Sequence, residues 1–115
     1  FAALGRRLRL GPGDIFADCG SGTGMAVTQA VVDFDVTASR GIELSGTRHE
    51  TAGRELALQP EGVASRVRLA QGDCAGAEAW SPGGAMHGAS VVWMCSELFN
   101  DELMGRLAAR LTASE

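Results

Sequence analysis

Short apolar runs and amphipathic segments alternate along the chain. The runs "DIFADC" (14–19) and "SVVWMCS" (90–96) have the length and the apolar character of buried strands. Two further strands are predicted at "VTASRGIEL" (36–44) and at "RVRLAQGD" (66–73), where charged and apolar residues alternate. Between the third and fourth of these strands, "AWSPGGAMHG" (79–88) is rich in glycine and proline and predicts a loop.

Helical periodicity separates and follows these strands. After the first strand, apolar residues recur at i, i+3, i+4 and i+7 and predict a helix with one apolar face: Val27, Ala30, Val31 and Phe34. Ser45 or Thr47 is predicted to cap a second helix, and Thr47 has the capping-box spacing to Glu50. A last amphipathic helix is predicted from Leu103, Leu107 and Leu111.

The order of these elements predicts the fold class. Strands that alternate with helices are typical of an α/β protein in which helices cover a parallel sheet. Ligands of such sheets bind beyond the carboxyl ends of the strands, where the strand order reverses. The segment "GSGTG" (20–24), here called the glycine turn, follows the first strand directly and is therefore expected at that position.

Charge and cysteine content narrow the classes of function. The 115 residues carry a net charge of −4, so this acidic chain does not itself support direct contact with nucleic acid. Cys19, Cys74 and Cys95 are widely separated and form no CxxC pair, so we expect neither a disulfide framework nor a zinc site, and a reducing compartment. No metal cofactor is expected.

Neither a membrane span nor a signal peptide is expected from the hydropathy of the chain. The first residue is Phe1 rather than methionine, which suggests a piece of a longer protein. We therefore expect residues 1–115 to form part of one domain, and the isolated piece to be poorly soluble or oligomeric and without turnover.

The glycine turn differs from two common phosphate-binding loops. A P-loop requires a lysine followed by Ser or Thr after its last glycine, whereas Gly24 is followed by Met25. The dinucleotide fingerprint G-x-G-x-x-G would require a glycine at that same methionine position. Asp18 precedes the turn by two residues, and a carboxylate there repels a pyrophosphate but attracts a ligand with a cationic group.

Acidic residues also end the next two predicted strands. Glu43 lies nineteen residues after Gly24, where an acid commonly binds both hydroxyls of a ribose. Asp73 ends the third strand with Cys74 beside it, which suits the amino group and a ring nitrogen of adenine. Three acids at three strand ends predict a nucleoside ligand with a positively charged tail.

These segments resemble the class I S-adenosylmethionine-dependent methyltransferases, through "FADCGSGTG", "GIEL" and "QGDC". Within that superfamily the chain is most similar to the Dot1 group of histone lysine methyltransferases. That group has an "F-x-D-x-G-S-G-x-G" turn, a "G-I-E" second strand, and a fourth strand that runs into an "F-x-x-x-L-x-x-x-L" helix. The corresponding segment here is "VVWMCSELFNDELMGRLAARL" (91–111).

The resemblance implies a Rossmann-like sheet with strand order 3-2-1-4, as the N-terminal part of a methyltransferase domain. It implies S-adenosylmethionine as cofactor, and a histone, in a nucleosome or free, or another protein as the methyl acceptor. A nuclear location would follow, and a cytoplasmic one if the acceptor is different. The residues implied to bind the cofactor are Asp18, Gly20, Ser21, Gly22, Gly24, Glu43, Asp73 and Cys74.

On the acceptor side the chain departs from the Dot1 pattern. The group places paired asparagines after the fourth strand, whereas Cys95 and Ser96 occupy this position here. The resemblance nevertheless assigns these two residues to the catalytic side of the site, where a serine offers a hydroxyl and backbone carbonyls to a lysine amine.

Three other functions stay open at the level of the sequence. One is a methyltransferase of the same fold that acts on a small molecule or a nucleic acid, because fold and cofactor do not determine the acceptor. Another is an inactive module that binds the nucleoside or a partner protein. A nicotinamide-dependent oxidoreductase is the least favoured, because of the glycine spacing and Asp18.

Overall fold

A computed structural model describes residue 6 and residues 9–94 of the chain. Within them lies one sheet of four parallel strands in the order β3-β2-β1-β4, which confirms the predicted order. The strands are β1 (Ile15–Cys19), β2 (Ala38–Glu43), β3 (Val67–Gln71) and β4 (Val91–Met94).

Two longer helices connect the first three strands. The helix predicted from the 27–34 periodicity is α1 (Met25–Phe34), and α2 is Gly46–Ala57. α1 buries Val27, Ala30 and Val31, three of the four residues on its predicted apolar face. It stops at Asp35, whose φ of 55° lies in the left-handed region that ends a helix.

The start of α2 resolves the choice between two predicted caps. The Ser45 hydroxyl accepts a hydrogen bond from the Arg48 backbone N–H at 3.3 Å, so Ser45 is the N-cap. Thr47 lies inside the helix, where its carbonyl accepts a hydrogen bond from the Thr51 hydroxyl. The predicted capping box of Thr47 with Glu50 is therefore wrong.

Two one-turn helices occur where the sequence pattern predicted none. They are α3 (Glu61–Ala64), which follows Pro60, and α4 (Ala77–Trp80), which overlaps the start of the predicted glycine- and proline-rich loop. Each has four residues, which is too short for an apolar face to recur in the sequence.

The central strands β1 and β2 are buried on both faces of the sheet. Consecutive residues of β1 belong to two different apolar clusters, because side chains alternate across a strand: Phe16 lies in one and Ala17 in the other. Phe16 packs with residues of α1, and Trp93 of β4 packs against the same cluster. The Ala17 cluster is filled by small residues and by Met86, which is 1% exposed.

The loop after α4 covers the second face and is attached to the sheet by two arginines. Arg40 of β2 donates to the His87 carbonyl, and Arg68 of β3 donates to the Gly83 carbonyl at 2.6 Å. Met86 enters the core from this loop, and its N–H donates to the Ala79 carbonyl at 2.7 Å. The loop thus serves as the covering layer on a face where no long helix lies among the described residues.

The cysteines correct one prediction. Cys19 and Cys74 form a disulfide, with their Cα atoms 5.6 Å apart and a sequence separation of 55. The sequence predicted no disulfide, because spacing along a chain does not reveal which strand ends become neighbours. The expectation of a reducing compartment therefore loses its basis in cysteine usage.

The remaining elements predicted for the C-terminal part lie outside the described residues. These are the end of the fourth predicted strand, at 95–96, and the amphipathic helix on Leu103, Leu107 and Leu111. Within the described part of the chain, no helix is long and apolar enough to cross a membrane. In the same part, no group of three or more His, Cys, Asp and Glu residues is placed to hold a metal ion.

Candidate functional site

The carboxyl ends of the four strands lie at one edge of the sheet. In register, Cys19 of β1 is opposite Ile42 of β2 and Met94 of β4, and Glu43 of β2 is opposite Gln71 of β3. The order β3-β2-β1-β4 places β4 and β2 on opposite sides of β1, so the strand order reverses next to the glycine turn.

The glycine turn has a backbone that residues with side chains rarely adopt. Gly20, Gly22 and Gly24 have φ values of 84°, 55° and 83°, all in the left-handed region. The N–H groups of Gly20 and Ser21 both donate to the Ile42 carbonyl, at 2.9 and 3.0 Å. The turn is thereby bound to the end of β2, and Ser21 is 8% exposed.

A glycine in β2 lets the turn lie directly against the sheet. A Cβ atom on Gly41 would be 2.6 Å from the Ser21 Cβ and 3.0 Å from a Val27 methyl group. No side chain fits at this distance, so the first residue of "GIEL" is a packing requirement of the turn. Sequence analysis missed this role, and the glycine inside a strand pattern was the available signal.

Glu43 joins the glycine turn to the start of α2. Its Oε1 accepts from the Gly22 N–H at 2.8 Å, and its Oε2 accepts from the Ser45 N–H at 2.8 Å. The side chain is 6% exposed. Each carboxylate oxygen has a further lone-pair direction, so the two oxygens can also accept hydrogen bonds from a ligand with adjacent hydroxyls.

Asp18 is a buried acid next to this pair of oxygens. Its exposure is 4%, and burial, with a smaller effect of the Glu43 negative charge, raises its pKa from 3.8 to about 7. A positively charged ligand group near Asp18 would favour the ionised carboxylate and reverse this shift. With such a group bound, the two acids form a site of negative charge at the ends of β1 and β2.

The segment that follows β3 also lies at this edge of the sheet. Asp73 is exposed, and its Oδ1 accepts from the Ala75 N–H at 2.9 Å. The Cys74 sulfur is bonded to Cys19, so a contact of Cys74 with a ligand would come from its backbone and not from a thiol. The Cys74 carbonyl accepts from the Trp80 indole N–H at 2.7 Å, a contact that the sequence did not suggest.

The first turn of α1 completes the described site. Gly24 is its N-cap residue and provides no side-chain cap for the first N–H groups of the helix. Such a helix end favours an anionic group, such as a carboxylate. The predicted cofactor residues of β1, the turn, β2 and the β3 loop thus lie at one edge of the sheet.

The two acceptor-side residues, Cys95 and Ser96, lie outside the described residues. The nearest described residue is Met94, which pairs with Cys19 immediately before the glycine turn. The prediction that the carboxyl end of the fourth strand faces the site remains a prediction.

The fold is that of the class I S-adenosylmethionine-dependent methyltransferases. The family model described as "Histone methylation protein DOT1" matches residues 2–113 of the chain. The chain therefore belongs to the DOT1 family.

Solved structures with the same fold support the class. A methyltransferase from Thiobacillus denitrificans, in complex with S-adenosyl-L-homocysteine, is 28% identical to this chain, with a TM-score of 0.73. The alignment covers 98% of this chain and 42% of that one. YJHP from E. coli is 27% identical with a TM-score of 0.71, covering 95% of this chain and 42% of that one.

A third similar structure is an RNA methyltransferase from Salinibacter ruber, also with S-adenosyl-L-homocysteine. It is 25% identical with a TM-score of 0.66, and the alignment covers 80% of this chain and 54% of that one. The chain thus corresponds to about half the length of these proteins or less. The comparison with curated proteins finds no match.

Proposed function

We propose that this chain is the cofactor-binding part of an S-adenosylmethionine-dependent methyltransferase that modifies lysine residues of histones. The observation that carries the cofactor assignment is the Glu43 carboxylate, which binds the Gly22 and Ser45 amides at 2.8 Å each. That arrangement holds two carboxylate oxygens in a fixed position beside the glycine turn, where a ribose can bind through both hydroxyls.

The residues present fit the other parts of this cofactor. The buried, negatively charged surroundings of Asp18 favour a cationic amino group. The uncapped start of α1 favours the carboxylate of the same amino acid moiety. The left-handed glycines keep side chains out of the space between these two groups.

Methyl transfer makes modest demands on the protein. S-Adenosylmethionine supplies a methyl group that is already activated by the sulfonium. The chain has to hold the acceptor in line with that group and exclude water. A lysine acceptor must also lose its proton, which an apolar channel favours by desolvation. No Ser–His–Asp type of arrangement is required for these tasks.

Membership of the DOT1 family supports a histone as the acceptor. A nuclear location is part of this proposal, because histones are assembled into chromatin in the nucleus. The net charge of −4 supports a basic protein substrate over a nucleic acid, because opposite charges favour the encounter.

One alternative acceptor has an observation in its favour. The Salinibacter structure is named as an RNA methyltransferase and shares 25% identity with this chain. An RNA acceptor would require positive charge from residues outside the acidic chain described here.

Two experiments on the protein in its full natural length test the proposal. The first is calorimetric titration with S-adenosylhomocysteine and, separately, with NAD. We expect binding of the former only; binding of NAD alone would contradict the cofactor assignment. The second is transfer of a labelled methyl group from S-adenosylmethionine to nucleosomes, free histones, RNA or small amines. Label on RNA or amines, and none on histone lysine, would contradict the acceptor assignment and leave the cofactor assignment intact.

A further inference from the structure

The Cys19–Cys74 disulfide lies beneath the proposed cofactor site. Cys19 immediately precedes Gly20, the first residue of the glycine turn, and Cys74 immediately follows Asp73. The bond therefore connects the segment under the amino acid moiety to the segment proposed to contact the adenine. In the sheet, β2, which ends in Glu43, lies between β1 and β3.

Hydrogen bonds also hold the Asp73 segment in place. The Gly72 N–H donates to the Glu43 carbonyl at 2.9 Å, which holds the start of the segment. Its far end is held by the Trp80 indole, through the Cys74 carbonyl. The disulfide is the covalent connection between this segment and β1, with the two Cα atoms 5.6 Å apart.

We propose that the Cys19–Cys74 pair is a redox-sensitive element that sets the affinity of the site for the nucleoside cofactor. The proposal rests on the cofactor assignment above. In the oxidised form the Asp73 segment and the glycine turn are held at a fixed separation before any ligand arrives. Binding to the oxidised form therefore costs less conformational entropy, and the reduced form binds more weakly.

The burial of the two cysteines determines which sulfur a thiolate from solution attacks. Cys19 is fully buried and Cys74 is 8% exposed, so a thiolate from solution approaches the disulfide from the Cys74 side. Attack at the Cys74 sulfur forms a mixed disulfide there and releases Cys19 as a thiolate. A second thiol of the reductant then displaces Cys74. Overall, two electrons and two protons pass from a dithiol to the protein, giving two cysteine thiols and a cyclic disulfide of the reductant.

Reduction leaves both thiols in an apolar cluster with Ala17, Ile42 and Met86. Free cysteines pack well in such surroundings, so we expect the reduced protein to remain folded. A loss of affinity on reduction would then reflect the loosened Asp73 segment and not unfolding.

Thermodynamic linkage gives the proposal a second readout. If the disulfide raises the affinity for S-adenosylhomocysteine, the ligand must stabilise the disulfide against reduction by the same factor. A tenfold effect on affinity corresponds to a shift of about 30 mV in the midpoint potential of the pair. The shift is measured on the wild-type protein and needs no substitution.

The first test is titration of S-adenosylhomocysteine into the full-length protein, oxidised with a low-molecular-weight disulfide or reduced with dithiothreitol. Mass spectrometry after iodoacetamide treatment identifies the redox state of each cysteine. We expect the reduced form to bind about tenfold more weakly, within the range usual for coupled sites. Equal affinities would overturn this proposal and leave the cofactor assignment in place. Absence of binding in both forms would overturn both.

The second test is a redox titration against dithiothreitol, with and without saturating S-adenosylhomocysteine. With the ligand present, the midpoint potential should become more negative by about 30 mV, because the ligand stabilises the disulfide. An unchanged midpoint would overturn the proposal. Thermal unfolding in each redox state separates an effect on the site from loss of fold.

Variants provide a matched comparison. Cys19→Ala with Cys74→Ala should bind with the affinity of the reduced protein, whatever the redox buffer. Ala79→Ser alters a buried residue of the same cluster without changing the disulfide. We expect this control to keep the roughly tenfold difference between oxidised and reduced forms. A double variant that binds as tightly as the oxidised protein would overturn the proposal.

Discussion

The Glu43 carboxylate accepts the Gly22 N–H at 2.8 Å across 21 residues of sequence. This bond fixes the middle of the glycine turn to the end of β2. Because the second oxygen accepts the Ser45 N–H, a single side chain positions the turn and the start of α2 together. The geometry of the proposed ribose site therefore depends on this one carboxylate.

Replacing Glu43 by alanine should weaken the binding of S-adenosylhomocysteine by about 1–3 kcal/mol, as expected for loss of a charged hydrogen-bond partner. Calorimetric titration measures the change directly. Glu50→Ala is a matched control, because Glu50 is an exposed acid on α2. Similar affinity for the two variants would contradict the ribose assignment.

Gly22→Val should abolish detectable binding. Gly22 has a φ of 55°, and a β-branched side chain at that angle strains the turn and projects into the space proposed for the ligand. The measurement is the same titration, accompanied by circular dichroism to check that the variant is folded. A folded variant that binds normally would show that the ligand lies elsewhere.

Gly41→Ala should lower the stability of the protein, because its Cβ would be 2.6 Å from the Ser21 Cβ. Overpacking of this kind costs about 1–3 kcal/mol of unfolding free energy, measurable by urea denaturation. The control is Gly53→Ala in α2, where no atom lies within 4 Å of the added Cβ. This control should stabilise the protein by about 0.5–1 kcal/mol through helix propensity. Equal effects of the two changes would argue against the packing described here.

Asp18 should make stability depend on pH. Its pKa is raised to about 7 by burial and by Glu43, so the folded protein holds a proton that the unfolded chain releases near pH 4. The bound proton therefore contributes to the free energy of unfolding. This contribution is fully present below about pH 4 and is lost as the pH rises toward 7. Asp18→Asn removes the effect, so the variant should match the wild type near pH 4 and exceed it in melting temperature at pH 8. A constant difference across this range would contradict the shifted pKa.

Protonation of Asp18, which favours the folded state, should disfavour the binding of S-adenosylhomocysteine. The ionised Asp18 attracts the cationic amino group, so wild-type affinity for S-adenosylhomocysteine should rise between pH 6 and 8. Asp18→Asn should bind more weakly at pH 8 and show a flatter pH profile. Titrations at three pH values measure both features. A steeper profile in the variant would contradict the role of Asp18.

Local patterns predicted the elements that lie around the glycine turn. The spacing of Val27, Ala30 and Val31 correctly predicted α1, because these residues form the buried stripe of a helix. The acid at Glu43 was predicted at a strand end and is found there. These features depend on neighbours within one or two turns, so periodicity is sufficient to predict them.

Contacts between distant segments were not predictable in this way. The Cys19–Cys74 bond depends on the separation between strand ends, which the sequence does not specify. The Gly41 contact with Ser21 likewise appears only when the turn folds back on the sheet. By residue type, Ser45 and Thr47 were equally good helix caps. In the structure Ser45 is the cap, and its backbone N–H also donates to the Glu43 carboxylate.

The glycine turn contributes to the bonds that shape it through its backbone groups. Ile42 contributes its carbonyl, and Gly22 and Ser45 contribute their N–H groups. Side chains such as Thr23 and Met25, which are exposed beside the turn, take no part in these bonds. Substitutions at these two positions should therefore leave the hydrogen bonds that shape the turn unchanged. The backbone framework of the turn is thus insulated from changes in the side chains that it presents to solvent.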